Sequence, residues 1–284
     1  NVNIIKIVNH KRIRVQNNEI LKVLFNSPSK KRVILQLLRM IPKKLPLIRF
    51  WEVMRNSNLL MLYRPKFALN VKTFQLPCSV KSSFHRAILI LDNLCYSSQN
   101  MLFIGDDDLI SILCKCIAPD LSISVIEIDG RITKLLKEIA KKKKFKNFYV
   151  HNLDFKEINE SPEFLEKNYS IIHFDPPYEA KELHKFLNNI ILLLDEKSSQ
   201  IFLNGLFDNR SIKILNQFIS DNKFTIENLY RSFNNYPLKP LDSKFLKHLK
   251  KQIKLETNLK FEKKDLKRFK ITSDLYQIEK SWIE

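Results

Sequence analysis

At 284 residues the chain is long enough to bury a proper core in one large or two modest domains, and its 44% hydrophobic content is ordinary for a globular protein. Its formal charge is +19, from 49 Lys and Arg against 30 Asp and Glu, and no run approaches the roughly 18 apolar residues of a membrane helix. Four cysteines in a chain of this size argue against a disulfide framework.

The opening residues Asn1–Lys6 carry neither the apolar h-region nor the small-residue cleavage site of a signal peptide, so a cytoplasmic, membrane-free protein is expected. Residues 1–72 read as a small helical domain, with apolar residues at helical spacing in Asn18–Phe25, Lys31–Met40 and Phe50–Leu60. Three helices and a short apolar run are compatible with a winged helix, and equally with a lid or a dimerisation module that would make a homodimer. From 73 to 240 the pattern alternates. A helix over Ser82–Leu94 leads into strand Met101–Ile104, a helix from Asp107 to Cys116, strand Ser122–Ile128 and a Lys-rich helix over Arg131–Lys144. Strands Phe148–His151 and Tyr169–Phe174, a helix over Lys181–Leu194 and strand Gln200–Leu203 follow. Short apolar strands alternating with helices predict an α/β Rossmann-like fold, a mostly parallel sheet with helices on both faces. Residues 241–284 read as a basic helical extension. Cys114 and Cys116 have no second Cys or His pair at zinc-finger spacing and read as small buried residues, and no metal site is expected. The Lys excess fits an anionic partner, nucleic acid or a membrane surface, and equally the Lys/Asn/Ile bias of an AT-rich genome with only three glycines.

In a parallel sheet the ligand sits beyond the carboxyl ends of the strands, and this chain places acids there. The first strand ends in Gly105-Asp106-Asp107-Asp108. A glycine turn at a helix N-terminus ordinarily attracts phosphate, but three carboxylates would repel one and favour a sulfonium or an amine. The second strand ends in Glu127-Ile128-Asp129, where a carboxylate can accept both ribose hydroxyls. Asp154 follows the third strand, in place to meet an adenine amino group, and Asp175-Pro176-Pro177-Tyr178 follows the fourth. A lone Asp is usually a turn former or a helix cap. Acids at four strand ends on one edge predict a nucleoside-binding cleft.

This arrangement resembles class I S-adenosylmethionine-dependent methyltransferases and the related aminopropyltransferases. Where methyltransferases carry a Gly-rich loop, only Gly105 remains. Gly105–Leu109, Glu127–Arg131 and Asp175–Pro177, with supporting matches at Phe74–Arg86 and Asn228–Tyr236, resemble the branched-chain polyamine synthases, also called N4-bis(aminopropyl)spermidine synthases. The resemblance covers roughly 70–240. It implies transfer of an aminopropyl group from decarboxylated S-adenosylmethionine, as a co-substrate and not a tightly bound cofactor, to a nitrogen of a polyamine. It implies that Asp107 and Asp108 face the donor's aminopropyl end and the acceptor amine, and that Asp175 holds or deprotonates the nucleophile. Gly105, Asp106, Asp129 and Asp154 would hold the donor, with Asp129 at the ribose and Asp154 at the adenine. Pro176, Pro177 and Glu179 would face the acceptor, with Tyr178 as a wall over the reacting centre. Two positions depart from the family pattern: Tyr178 stands where Glu is common, and the segment before Arg86 lacks its leading Asp.

Asp-Pro-Pro-Tyr is also the signature of S-adenosylmethionine-dependent amino-methyltransferases acting on adenine in DNA or RNA, in which the Tyr stacks on a flipped base. That alternative accounts for Tyr178 and the basic charge together. It leaves Asp106–Asp108 beside a methionine carboxylate. A third reading, a non-catalytic subunit using its basic surface, requires no ligand at the acids.

Overall fold

The computed structural model describes residues 78–94, 100–161, 164, 168–176, 180–195, 199–205, 207–236 and 271–280. The expected helical domain over 1–72, most of the 241–284 extension, and Pro177, Tyr178 and Glu179 lie outside the described residues.

Seven strands form one sheet: β1 (Asn100–Ile104), β2 (Ser122–Glu127), β3 (Phe148–Asn152), β4 (Ile171–Phe174), β5 (Gln200–Gly205), β6 (Phe224–Tyr236) and β7 (Ile271–Lys280). Their spatial order is β3-β2-β1-β4-β5-β7-β6. The pairings from β3 through β5 are parallel, and β7 is inserted antiparallel between β5 and β6. The strand order reverses between β1 and β4, the place where such sheets open a crevice. Ile104 pairs with both Ile126 and Phe174, so the residues that follow β1, β2 and β4 emerge level with one another.

The helices are α1 (Val80–Asp92), α2 (Ile110–Ile117), α3 (Gly130–Lys143), α4 (Ala180–Ile191) and α5 (Asn209–Asp221). Met101, Leu102 and Phe103 of β1 are fully buried, as befits a central strand covered on both faces. Burying each such side chain is worth roughly 1.5–3 kcal/mol. One core layer joins Leu102, Ile172 and Leu203 of the sheet to Leu183, Leu187 and Ile190 of α4 and to Leu215 and Phe218 of α5. Among the described residues no helix is long and apolar enough to cross a membrane. Cys114 is buried and Cys116 partly so, both as free thiols.

Three expectations change. Helix α2 begins at Ile110 and not at Asp107, because Asp106 takes the capping role and Leu109 turns left-handed (φ 56°). Asp107 and Asp108 are therefore turn residues. The helix over Asn209–Asp221, capped by Asp208, had no expected counterpart. Most consequentially, residues 271–280 form a strand in place of a helix. Their polar side chains are paired inside the sheet, where Gln277 accepts from Asn228 and Tyr230. Spacing along the chain carried no trace of that pairing.

Candidate active site at the strand carboxyl ends

Gly105 closes β1 with a positive φ of 71°, a conformation that costs a non-glycine residue roughly 1–2 kcal/mol. Its N–H donates to the Ile126 carbonyl at 2.9 Å, which turns the chain beyond β1 toward β2. The three acids that follow are folded to three different uses.

Asp106 points inward and is 1% exposed. Its carboxylate accepts from the Ile110 N–H at 2.7 Å, the Ser111 N–H at 3.2 Å and the Ser111 hydroxyl. It caps α2 at the end where the helix dipole favours negative charge. Burial raises its carboxyl to about 8, while these donors pull the other way. Asp108 is also buried. It accepts from the Cys78 N–H at 2.7 Å and pairs with the Arg86 guanidinium at 3.1 Å. Asp107 is only half-buried, and no described residue donates a hydrogen bond to it. Burial, and then the charges of Asp108, Glu127 and Asp175, hold its carboxyl well above the usual range.

Arg86 organises the floor of the cleft from the buried face of α1, where it is 1% exposed. Nη1 meets Asp108, Nη2 donates to Asp175 at 3.3 Å and to the Tyr236 hydroxyl at 3.1 Å, and Nε donates to Asn234 Oδ1. Burial opposes the charge on Arg86, and Tyr236, Asp108 and Asp175 are among the neighbours that more than restore it. Tyr236 in turn donates to Asp175 at 3.3 Å. Burial raises the Asp175 carboxyl, with Arg86 opposing the rise and Asp108 adding to it.

A polar chain continues from Arg86 through the sheet. Asn234 Nδ2 donates to Asn204 Oδ1 at 3.0 Å and to Ser273 Oγ at 2.9 Å, and Asn204 Nδ2 meets His173 Nε2 at 2.9 Å. Burial, then Arg86, holds the His173 imidazole well below its ordinary value. It is a neutral ring, and accepting at Nε2 leaves the proton on Nδ1.

On the β2 side, Glu127 accepts from the Asp106 N–H at 3.0 Å and the Asp129 N–H at 2.9 Å, tying the ends of β1 and β2 together. Asp129 caps α3 through the Arg131 N–H and is gripped by the Arg131 side chain at 2.6 Å. Asp154 caps the 3-10 turn Phe155–Glu160 and sits 3.6 Å from Lys156 Nζ. Pro176 is buried directly after Asp175.

The fold thus brings Gly105, Asp107, Asp108 and Asp175 to one place and sets Asp129 and Asp154 at the ends of the two strands beyond β1. It turns Asp106 away from that space. Arg86 and Tyr236 lie inside the segments Phe74–Arg86 and Asn228–Tyr236, yet no spacing rule gave them a role. Asn234, Asn204 and His173 were likewise without one, and Glu127, part of the Glu127–Asp129 strand end, had no expected role in tying β1 to β2. An Arg at the only cationic position on an apolar helix face was the available signal for Arg86: Phe84, Ala87, Ile88 and Leu91 surround it in sequence and are buried with it.

An open, mostly parallel seven-stranded sheet with this order and an acidic crevice beyond β1 and β4 defines the methyltransferase-like Rossmann class. The family model of the branched-chain polyamine synthase A C-terminal domain matches residues 62–283, and the chain belongs to that family. The family is one of transferases. The chain is 28% identical over 145 residues to N(4)-bis(aminopropyl)spermidine synthase of Methanocaldococcus jannaschii, across 49% of this chain and 40% of that protein. It spans about two fifths of the length of the curated relatives it matches. The branched-chain polyamine synthase of Thermus thermophilus, solved with N4-aminopropylspermidine and 5′-methylthioadenosine, superposes with a TM-score of 0.61 at 17% identity, covering 86% of this chain and 67% of that one. A putative RNA methyltransferase of Pyrococcus horikoshii gives 0.57 at 14% identity, covering 81% of this chain and 98% of that one. At these identities the two structures establish a shared fold.

Proposed function

We propose that the chain transfers an aminopropyl group from decarboxylated S-adenosylmethionine to an amine nitrogen of a polyamine, in branched-chain polyamine synthesis. The observation that carries this reading is the sign of the cleft. Asp107, Asp108 and Asp175 converge beyond β1 and β4, where Arg86 is the one cation paired with them among the described residues, and no described residue donates a hydrogen bond to Asp107. Such a site favours an ammonium and disfavours the carboxylate that S-adenosylmethionine would bring.

The donor's primary ammonium pairs with Asp107, and Asp129 and Asp154 take the ribose and adenine, Asp129 exchanging its Arg131 contact for the hydroxyls. Arg86 and Tyr236 hold Asp175 facing the acceptor. An ammonium cannot attack, so the acceptor first gives its proton to a carboxylate, for which the raised Asp175 is suited. The nitrogen lone pair then forms a C–N bond to the methylene beside the sulfonium. The C–S bond breaks with its electron pair moving to sulfur, and methylthioadenosine leaves neutral. Asp108 acts through Arg86, and Asp106 through the α2 turn.

Incubation with spermidine and decarboxylated S-adenosylmethionine is expected to release methylthioadenosine and a branched product. Asp107→Asn should weaken binding of the decarboxylated donor at least tenfold by calorimetry, and leave S-adenosylmethionine binding unchanged or improved. No methylthioadenosine, together with tighter binding of S-adenosylmethionine by the wild-type chain, would overturn the proposal in favour of methyl transfer.

A further inference from the structure

Helix α3 carries a second charged feature, opposite in sign to the cleft. Its apolar residues Ile132, Leu136 and Ile139 are buried against the sheet. Lys134, Lys137 and Lys141 are exposed at spacings of three and four, which sets them in one stripe about 10 Å long. Lys134, Lys137 and Lys141 line a groove of about 380 Å³ together with Thr133, Glu138 and Asn152. Glu138 is the one acid there, and no described carboxylate pairs with any of the three lysines. By contrast, Lys156 reaches both Asp154 and Glu182.

We propose that this ridge binds the phosphate backbone of RNA. A row of unpaired ammonium groups along a rigid helix matches a linear polyanion, and releasing its counterions drives association. An anionic membrane fits less well. A membrane-lying helix needs an apolar face toward the acyl chains, and the apolar face of α3 is already buried in the sheet. A physical reason for such a partner follows if the cleft takes polyamines, and to that extent the inference rests on the function proposed above. A chain at +19 repels polycations at long range. Bound RNA reverses the sign of that field and concentrates polyamines around itself.

The test needs no polyamine, so its failure is distinct from failure of the aminopropyl reaction. The probe is a fluorescein-labelled 20-nucleotide polyuridine RNA, read by anisotropy from 50 to 300 mM salt. The wild-type chain is expected to bind, and the triple variant Lys134→Glu/Lys137→Glu/Lys141→Glu to bind at least tenfold more weakly. Its slope of log affinity against log salt should be shallower by about 2, since each single-strand phosphate contact contributes about 0.7. The charge-matched control Lys181→Glu/Lys185→Glu/Lys213→Glu, exposed on α4 and α5, should lose less than threefold. Thermal midpoints establish that both variants fold, and single Lys→Gln variants replace the triple if it does not. Equal losses in the two triples would show diffuse charge and overturn the ridge as a site. So would absence of wild-type binding at 50 mM salt, or a loss confined to phosphatidylserine vesicles with RNA binding intact.

Discussion

The strand-end cleft and the α3 ridge hold charge in opposite ways. In the cleft the charges are few, with Arg86 and Asp108 buried and Asp107 and Asp175 partly so, and all but Asp107 have described partners: Arg86 alone reaches Asp108, Asp175, Tyr236 and Asn234. On the ridge the lysines are exposed, outnumber the single acid Glu138 and have no described partners. The reason is dielectric. A buried ion must be held by opposite charge and hydrogen bonds, whereas an exposed lysine is solvated by water and screened by salt. The net charge of +19 therefore says little about the site.

The sharpest way to break this contrast is Arg86→Met, which leaves the buried Asp108 and the partly buried Asp175 without their cation. A loss of about 3–5 kcal/mol is expected in urea unfolding. It should be partly recovered in the double variant Arg86→Met/Asp108→Asn, and a loss below 1 kcal/mol would mean that the cleft is wetter than its burial indicates. Asn204→Leu comes next. It removes the donor to His173 and the acceptor for Asn234 from a dry network, at about 1–3 kcal/mol by the same measurement.

Tyr236→Phe probes the held carboxylate more finely. Burial raises the Asp175 carboxyl, and the Tyr236 hydrogen bond is among the contacts that lower it again. The proposed transfer requires the ionised carboxylate, so its rate is expected to rise with pH through that raised value. Removing the hydroxyl should move the acidic limb of the rate profile to higher pH, and an unmoved or down-shifted limb counts against Asp175 as the group that holds or deprotonates the acceptor. The smallest effect belongs to the ridge. Lys137→Ala should leave the urea midpoint indistinguishable from wild type, because an exposed side chain with no described partner has nothing to leave unpaired.

Much of the sheet was legible because its strands are short apolar runs between helices of clear 3.6 period. Seven of the expected elements, including Met101–Ile104, Ser122–Ile128 and Arg131–Lys144, fall within two residues of β1, β2, α3 and their neighbours. Strand β7 was not legible. Its sequence Ile-Thr-Ser-Asp-Leu-Tyr-Gln-Ile-Glu-Lys mixes polar and apolar residues, since Gln277 and Ser273 are buried as hydrogen-bonding partners and not as hydrophobes. At the site, Gly105 and the acids stood out as residue types, but their division of labour did not. Asp106 and Asp107 are adjacent and chemically identical, and only the turn decides that one caps α2 and the other faces the cleft.

By itself the sequence determined the class of fold and the gathering of acids at the carboxyl ends of the strands, because hydrophobic periodicity and strand-end residue types are local properties. The tertiary structure decided which acids are held and by what. Arg86 meets Asp108 across 22 positions of chain, Asp175 across 89 and Tyr236 across 150. Contacts at such separations are set by how α1, β1, β4 and β6 come together, and no local pattern encodes them.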